Sequence, residues 1–321
     1  MTTTANNCDK PLVVIAIGGN SLITDAEHMS VVDQYRAAGE TAANIAPIVS
    51  NGYRVVVTHG NGPQVGFILL RSELAKETLH QVPLANCVAD TQGSIGMQIA
   101  QSLQNEFLRL GREQQVVAIV TQVVVDPEDP SFDNPTKPIG PFMSEAEARQ
   151  HAESDGWEIA EDSNRGWRRV VPSPAPIKII ELPAIRTLLD SGALVVAAGG
   201  GGVPVIYKPD GLLRPRPAVI DKDAASCLLA KSLGAQVLIF STDVDRAALN
   251  FGTPEETAID RMRAAECRSY LDAGHFAAGS MLPKIEAALA FIEGGGKEVI
   301  ITSPLHLPDA MQGTHGTHIV P

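Results

Sequence analysis

Three apolar runs of this chain end in glycine-rich corners, and three lysines stand in short motifs elsewhere along it. The corners are "IGGNS" (Gly18, Gly19, Asn20, Ser21), "THGNGPQVG" (Gly60, Asn61, Gly62) and "AAGGGGVP" (residues 199–202, with Gly200 and Gly201 at the centre). Glycine has no Cβ, so at such a corner the backbone N–H groups can close on an anion without obstruction. One corner of this kind is equally a tight turn. Three of them, each directly after an apolar run, point to a cradle for a phosphate or a carboxylate. The lysines are Lys137 in "PTKP", Lys222 in "IDKD" and Lys284 in "GSMLPK". A lone lysine is ordinarily a solvated surface charge. Lys222 differs, because Asp221 and Asp223 flank it directly after the strand-like "AVI" and can hold an ammonium in a fixed direction; Asp223 is the expected organising carboxylate. No G-x-G-x-x-G follows the first apolar run and no G-x-x-x-x-G-K-[ST] occurs. Neither a nicotinamide enzyme nor a Walker-type ATPase is therefore supported.

The elements that must position these residues alternate between strand and helix. "LVVIAI" is followed by a helix over 32–49, "RVVVTHG" by a helix over 91–110, and then comes "QVVAIVTQVVV". After Pro176 the alternation resumes with a helix over 182–189, "ALVVAAGGGG", "AVI", a helix over 223–233, "QVLIFST", a helix over 284–293 and "EVIITSP". Short Val/Ile-rich strands separated by helices predict an α/β fold around a mostly parallel sheet buried on both faces. In such sheets ligands bind beyond the carboxyl ends of the strands, where helix N-termini present free N–H groups. Residues 126–176 differ in kind, with many prolines, clustered charge and both tryptophans, Trp157 and Trp167. Aromatic residues argue against a disordered linker there, so the segment reads as an inserted subdomain or lid.

The 321 residues are enough for one large domain or two lobes with a substantial core. With 25 Lys+Arg against 37 Asp+Glu the net charge is −12, a field that repels nucleic acid and anionic membranes while leaving room for a small anion in a local basic pocket. No apolar run approaches the length of a membrane span, and "MTTTANNCDK" has neither a basic start nor an apolar centre, so a cytoplasmic protein is expected. Cys8, Cys87, Cys227 and Cys267 form no C-x-x-C pair and read as free thiols.

The strings "IGGNSL", "THGNGPQVG", "NPTKPIGPF", "RGWRRVVPSP", "GGGGVPV", "VIDKDAAS", "TDVDRAALNFGT" and "HFAAGSMLPKIEAALAFI" together are similar to those of carbamate kinase, a branch of the amino acid kinase superfamily, and occur in the same order along nearly the whole chain. The resemblance implies a three-layer α/β/α sandwich with a protruding lid subdomain at about 126–176. It implies that residues 11–205 bind carbamate or carbamoyl phosphate, that residues 206–321 bind ATP or ADP, and that the protein is a homodimer. The implied reaction is reversible phosphoryl transfer between carbamoyl phosphate and ADP, giving ATP and carbamate, with Mg2+ and no metal-ligating residue named. Bringing two phosphate-bearing anions into line is a problem of positioning and charge neutralisation.

On that pattern Lys137 reaches from the lid to the transferred group, while Lys222 and Lys284 bind phosphate oxygens on the nucleotide side. Gly18, Gly19, Asn20, Ser21, Gly60, Asn61, Gly62, Gly200 and Gly201 line the acceptor end; Asn61 reads equally as a turn residue tolerating positive φ. Thr242, Asp243, Phe251, Gly252 and Met281 are placed beside the nucleotide, with plain core as the other reading of Phe251. His59 reads as structural, because this transfer needs no protein base, and Arg165, Arg168 and Arg169 as bracing the lid against acidic neighbours. Sister families resemble the first strand but carry a lysine where this chain has Ala16, so Lys137 is expected to supply the missing charge and to tie lid closure to chemistry. Three departures from the usual pattern, Leu282 in "GSMLPK", Ser94 with Asp90 nearby, and Ser21, put the identity of the acceptor in question. They motivate a rival reading, a kinase of the same build acting on another small carbamate or carboxylate. A non-catalytic nucleotide or acyl-phosphate sensor is the third reading, although no phosphate-handling residue is missing.

Overall fold

Alternate residues of the first strand serve opposite sides of a sheet. Val13, Ile15 and Ile17 pack into one apolar cluster and Leu12, Val14 and Ala16 into another, as the two-residue period of a strand requires. A computed structural model describes residues 10–19, 22, 23, 27–162, 165–276 and 280–321. The predicted Asn20 and Ser21 lie outside the described residues, as does Cys8.

The main sheet has eight strands, β1 (Leu12–Ile17), β2 (Arg54–His59), β3 (Val116–Ala118), β4 (Leu194–Val196), β5 (Val237–Ser241), β6 (Arg261–Arg263), β7 (Glu298–Thr302) and β8 (Thr317–Val320). Their spatial order is β6-β8-β7-β5-β1-β2-β4-β3. From β7 to β3 neighbouring strands run parallel; β8 is antiparallel to β7, and β6 is parallel to β8. On one face lie α1 (Val31–Ser50), α3 (Leu84–Arg109) and α9 (Leu307–Met311), whose Ala42, Ile45, Ile99, Leu103 and Leu307 meet the Val13 side. On the other lie α5 (Leu182–Asp190), α6 (Lys222–Leu233), α7 (Ala264–Asp272) and α8 (Met281–Glu293), which bury Ile185, Leu229, Cys267 and Ala288 against the Leu12 side. The result is a three-layer α/β/α sandwich. Among the described residues no helix is long and apolar enough to cross a membrane.

Within 126–176 the described residues are folded. Strands Lys137–Met143, Trp167–Val171 and Ile159–Glu161 pair antiparallel in that spatial order, with α4 (Glu145–Asp155) between the first and the last in sequence. A four-stranded sheet, Leu213–Pro215, Val203–Tyr207, Gln122–Val125 and Pro176–Ile179, stands beside the main body. Ile139 and Val171 join Val65 of α2 (Gly62–Leu74) and Val88 of α3 in a third apolar cluster that roots the protruding sheet.

Several boundaries differ from the sequence reading. "QVVAIVTQVVV" is two strands in two sheets: between them the buried Gln92 side chain accepts the Thr121 N–H at 2.8 Å in place of a strand, and its amide shares the Thr121 C=O, at 3.1 Å, with the N–H of Val203 in the second sheet, at 2.9 Å. "AVI" is no strand: Val219 N–H donates to Pro172 O at 3.0 Å, and Asp221 then caps α6. The helix expected at 91–110 starts at Leu84, behind Pro83, since Leu84, Ala85, Cys87 and Val88 carry its buried face about two turns further back. Cys87, Cys227 and Cys267 are buried free thiols, pushed up to about 11, 11 and 12 by loss of hydration.

His59, at the end of β2, is 1% exposed, and burial pushes it down to about 4 although its ring nitrogen meets Gly60 O at 2.9 Å. An unfolded chain therefore binds this proton at higher pH than the folded one does. Stability is fully present above the ordinary histidine value of 6.5 and is lost as pH falls from there toward 4, by about 3 kcal/mol in all. Urea unfolding at stepped pH should show that loss in the parent and a shallower dependence in His59→Gln. Identical pH profiles for the two would contradict the assignment.

Candidate functional site

β5, β1 and β2 are neighbours in the sheet and end side by side, so the loops that follow them open into one cleft of about 370 Å3. Gly18 and Gly19 enter it from β1, Gly60, Asn61 and Gly62 from β2, Thr242 and Asp243 from β5, and Gly200 from the turn after β4. The chain builds outward from β1 through β2 and β4 on one side and through β5 and β7 on the other, and such a reversal leaves the crevice in which open α/β sheets bind ligands. Three helices also begin at the cleft: α2 at Gly62, α6 at Lys222 and α8 just after Ser280. Their first-turn N–H groups and the positive ends of their dipoles favour an anion.

All three motif lysines reach this cleft from separate elements. Lys137, the first residue of its strand in the protruding sheet, donates to Asp221 Oδ2 at 2.8 Å. Lys222 donates to Asp223 Oδ1 at 2.7 Å, and Lys284 donates to the other oxygen of the same carboxylate and to Ser280 O, both at 3.1 Å. Asp223 is thus the organising carboxylate expected for Lys222, and it also holds a residue 61 positions away. Asp221 has a double task. Its Oδ1 caps α6 by accepting the N–H groups of Asp223 and Ala224 at 2.8 and 3.3 Å, while its Oδ2 steadies Lys137. Burial works to raise the Asp221 carboxyl, yet the Lys137 ammonium against it and Lys222 nearby bring it down to about 2. Lys284 is pushed down by burial first and by the Lys222 charge second, against the pull of Asp223.

The glycines divide by task. Gly60 lies against the first corner, where an added Cβ would stand 2.7 Å from Gly19 N, so the approach of these two loops needs glycine at 60. In the third corner only Gly200 faces the cleft; it has φ +63° and no room for a side chain, since a Cβ would sit 2.0 Å from Asn61 Nδ2. Gly201, predicted to bind the acceptor, instead backs onto Ile220 O at 2.4 Å from a would-be Cβ, and does not line the cleft. Asn61 has φ −148°, which removes the positive-φ reading, and its Nδ2 donates to Thr91 Oγ1 at 2.8 Å.

A smaller hollow of about 120 Å3 shares Thr242, Asp243 and Ser280 with the cleft and adds Phe251 and Met281. Phe251 is 60% exposed and so is not core. Gly252, with φ +78°, lines neither space. Of the departures that questioned the acceptor, Ser21 lies outside the described residues and the others lie away from the cleft. Asp90 and Ser94 sit on the exposed face of α3, and Leu282 is half-buried in the first turn of α8, outside the lining. Arg168 and Arg165 do meet an acid, Asp162, at 2.9 and 4.0 Å, whereas Arg169 lies over the Trp157 ring instead. Missed by the sequence reading were Ser280, which lines both spaces and accepts from Lys284, and the service of Asp221 to Lys137. The flanking of Lys222 by two aspartates was the visible signal; the partner 84 positions away was not.

The sequence profile of the amino acid kinase family matches residues 11–303. The carbamate kinase-like protein YahI of Escherichia coli is 49% identical, covering 97% of this chain and 99% of its own. The carbamate kinase of Pyrococcus horikoshii is 46% identical, covering 96% and 99%. Among solved structures, carbamate kinase from Giardia lamblia bound to AMP-PNP superposes with a TM-score of 0.91 at 41% identity, covering 97% of this chain and 99% of that one.

Asp223 and Lys284 are both almost fully buried, so Asp223→Asn leaves a buried ammonium without its counter-charge. The expected loss is about 3–5 kcal/mol in urea unfolding. Adding Lys284→Met should restore part of it, and strict additivity of the two changes would show that the pair is not coupled.

Proposed function

The chain belongs to the amino acid kinase family, and from that premise we propose that it is a carbamate kinase, moving a phosphoryl group reversibly between carbamoyl phosphate and ADP. The observation that carries this reading is the convergence of Lys137, Lys222 and Lys284 on one cleft at the ends of β5, β1 and β2. It is joined by near full-length similarity to carbamate kinases from several organisms. Loops from residues 11–205, chiefly those of Gly18, Gly19, Gly60, Asn61 and Gly200, hold the carbamate end. Residues 206–321 hold the nucleotide, its phosphates toward Lys222 and Lys284 and its base toward the hollow of Phe251 and Met281.

Two anions must meet in line, and at an effective dielectric near 20 each unit charge about 4 Å from another is worth roughly 4 kcal/mol. Lysines fixed in advance by aspartates supply compensating charge without reorganising at the moment of transfer. Lys137 stands where it can reach the migrating group, and it rides on the protruding sheet, so the position of that sheet sets how many positive charges surround the phosphoryl oxygens. Asp221 holds Lys137 over the cleft until substrate oxygens compete for it. Mg2+ takes one or two carboxylates together with nucleotide phosphates; of the carboxylates lining the cleft, Asp243 is the one that would hold it, because both oxygens of Asp221 and of Asp223 already serve N–H groups and lysines. When bound it would neutralise phosphate charge beside the lysines. The acceptor reading gains from Asp90, Ser94 and Leu282 lying away from the cleft, and a silent sensor finds no support in a site whose three lysines are all in place.

ATP formation from ADP and carbamoyl phosphate tests the reading. Turnover should fall about 100- to 1000-fold in Lys137→Ala, with a smaller change in the affinity for ADP. A parent protein no faster than that variant would reject carbamate kinase. The same reading makes the chain a homodimer, supported by Val31, Val32 and Met97, which leave apolar surface exposed on α1 and α3. Light scattering should return twice the 34.0 kDa chain mass; a monomer at micromolar concentration would refute this part alone.

A further inference from the structure

Between α2 and the protruding antiparallel sheet lies a separate hollow of about 200 Å3. Its walls are mostly apolar, with Leu69 and Leu70 from α2, Val82, Met143 and Trp157. Four ionisable side chains also line it, and three of them already have partners. Glu73 accepts from Lys76 and, at 3.0 Å, from Gln81; Glu147 accepts from the N–H and hydroxyl of Ser144 at 2.8 and 2.7 Å; the His151 ring nitrogen stands 2.7 Å from Asp155. The fourth, Arg169, makes no hydrogen bond or ion pair among the described residues; its guanidinium lies over the Trp157 ring, 4.9 Å from the centroid. Burial acts against its charge.

Asp155 and Glu73 support this half-buried charge from a distance, but neither is bonded to it, so its fork of N–H donors is open to a carboxylate, which can accept two parallel charge-assisted hydrogen bonds. Glu73 and Glu147 share the lining and repel negative charge on a guest, so a monoanion suits the hollow better than a phosphate dianion. Leucine, valine, methionine and indole walls suit an apolar body. We propose that this hollow is a binding site for a small organic monocarboxylate, with its carboxylate on Arg169 and its apolar part between Trp157 and the α2 leucines. The wall dividing it from the phosphate cleft is the strand Lys137–Met143, and Ile139 lines both spaces. A guest here therefore packs against the element that delivers Lys137.

Benzoate is a suitable probe and Trp157 the reporter, with Trp157→Phe separating its emission from that of Trp167. The parent should give a saturable change in Trp157 fluorescence. Affinity should drop about tenfold or more in Arg169→Met, through loss of the charged fork, and by a smaller factor in Arg169→Lys, which keeps the charge without the fork. Urea midpoints measured without benzoate identify any variant that fails to fold, and Arg169→Lys then carries the comparison. No saturable response in the parent, equal affinity in parent and variants, or inorganic phosphate binding as tightly as benzoate would overturn the proposal. None of these readouts depends on phosphoryl transfer, so the site can fail while the kinase reading stands.

Discussion

One buried carboxylate between two ammonium groups is the constraint on which the cleft depends. Asp223 gives one oxygen to Lys222 and the other to Lys284, and it is 3% exposed, so neither lysine can exchange it for water. The two ammonium groups repel each other, as the downward push of Lys222 on Lys284 records. Asp223 keeps them together in spite of this, and in doing so it fixes the first turn of α6 against the first turn of α8. An arriving phosphate adds negative charge where positive charge is already crowded, so binding relieves repulsion that the empty fold has to contain.

Asp221 extends the same device across the molecule. A side chain that only capped α6 would be an ordinary helix start, but its second oxygen reaches a lysine carried by the protruding sheet. That link is more exposed than the Asp223 pair, with Lys137 35% accessible. An exposed ion pair is weak and exchangeable. The tight pair joins two helices of the main layers, and the looser one joins α6 to the antiparallel sheet that carries Lys137.

Close backbone approach is what the glycine corners cost and permit. Gly60 against Gly19, and Gly200 against Asn61, let three loops from neighbouring strands crowd toward one point with their N–H groups unobstructed. His59 sits beneath Gly199, where a Cβ would fall 2.3 Å from its Nε2, and stays neutral because that packing excludes water. The glycine run after β4 is thus largely a packing solution, with a single residue, Gly200, facing the ligand space.

The sequence by itself determined the layered α/β fold, because runs such as "LVVIAI" and "RVVVTHG" can be satisfied only by strands buried on both faces. It also singled out the lysines and glycine corners, whose types already limit what they can bind. It misread "AVI" and the single run "QVVAIVTQVVV", since a strand continues only where a neighbouring strand accepts its N–H groups, and Pro172 O and the Gln92 side chain accept those of Val219 and Thr121 instead. It set Gly201 beside Gly200 because composition cannot tell a glycine that faces a cleft from one that makes room for another loop. Only the tertiary structure decided that Asp221 serves Lys137, that Asp223 serves Lys284, and that Asp90 and Ser94 face away. Those are contacts between residues far apart in the chain, and no local pattern encodes the directions in which side chains from separate elements finally point.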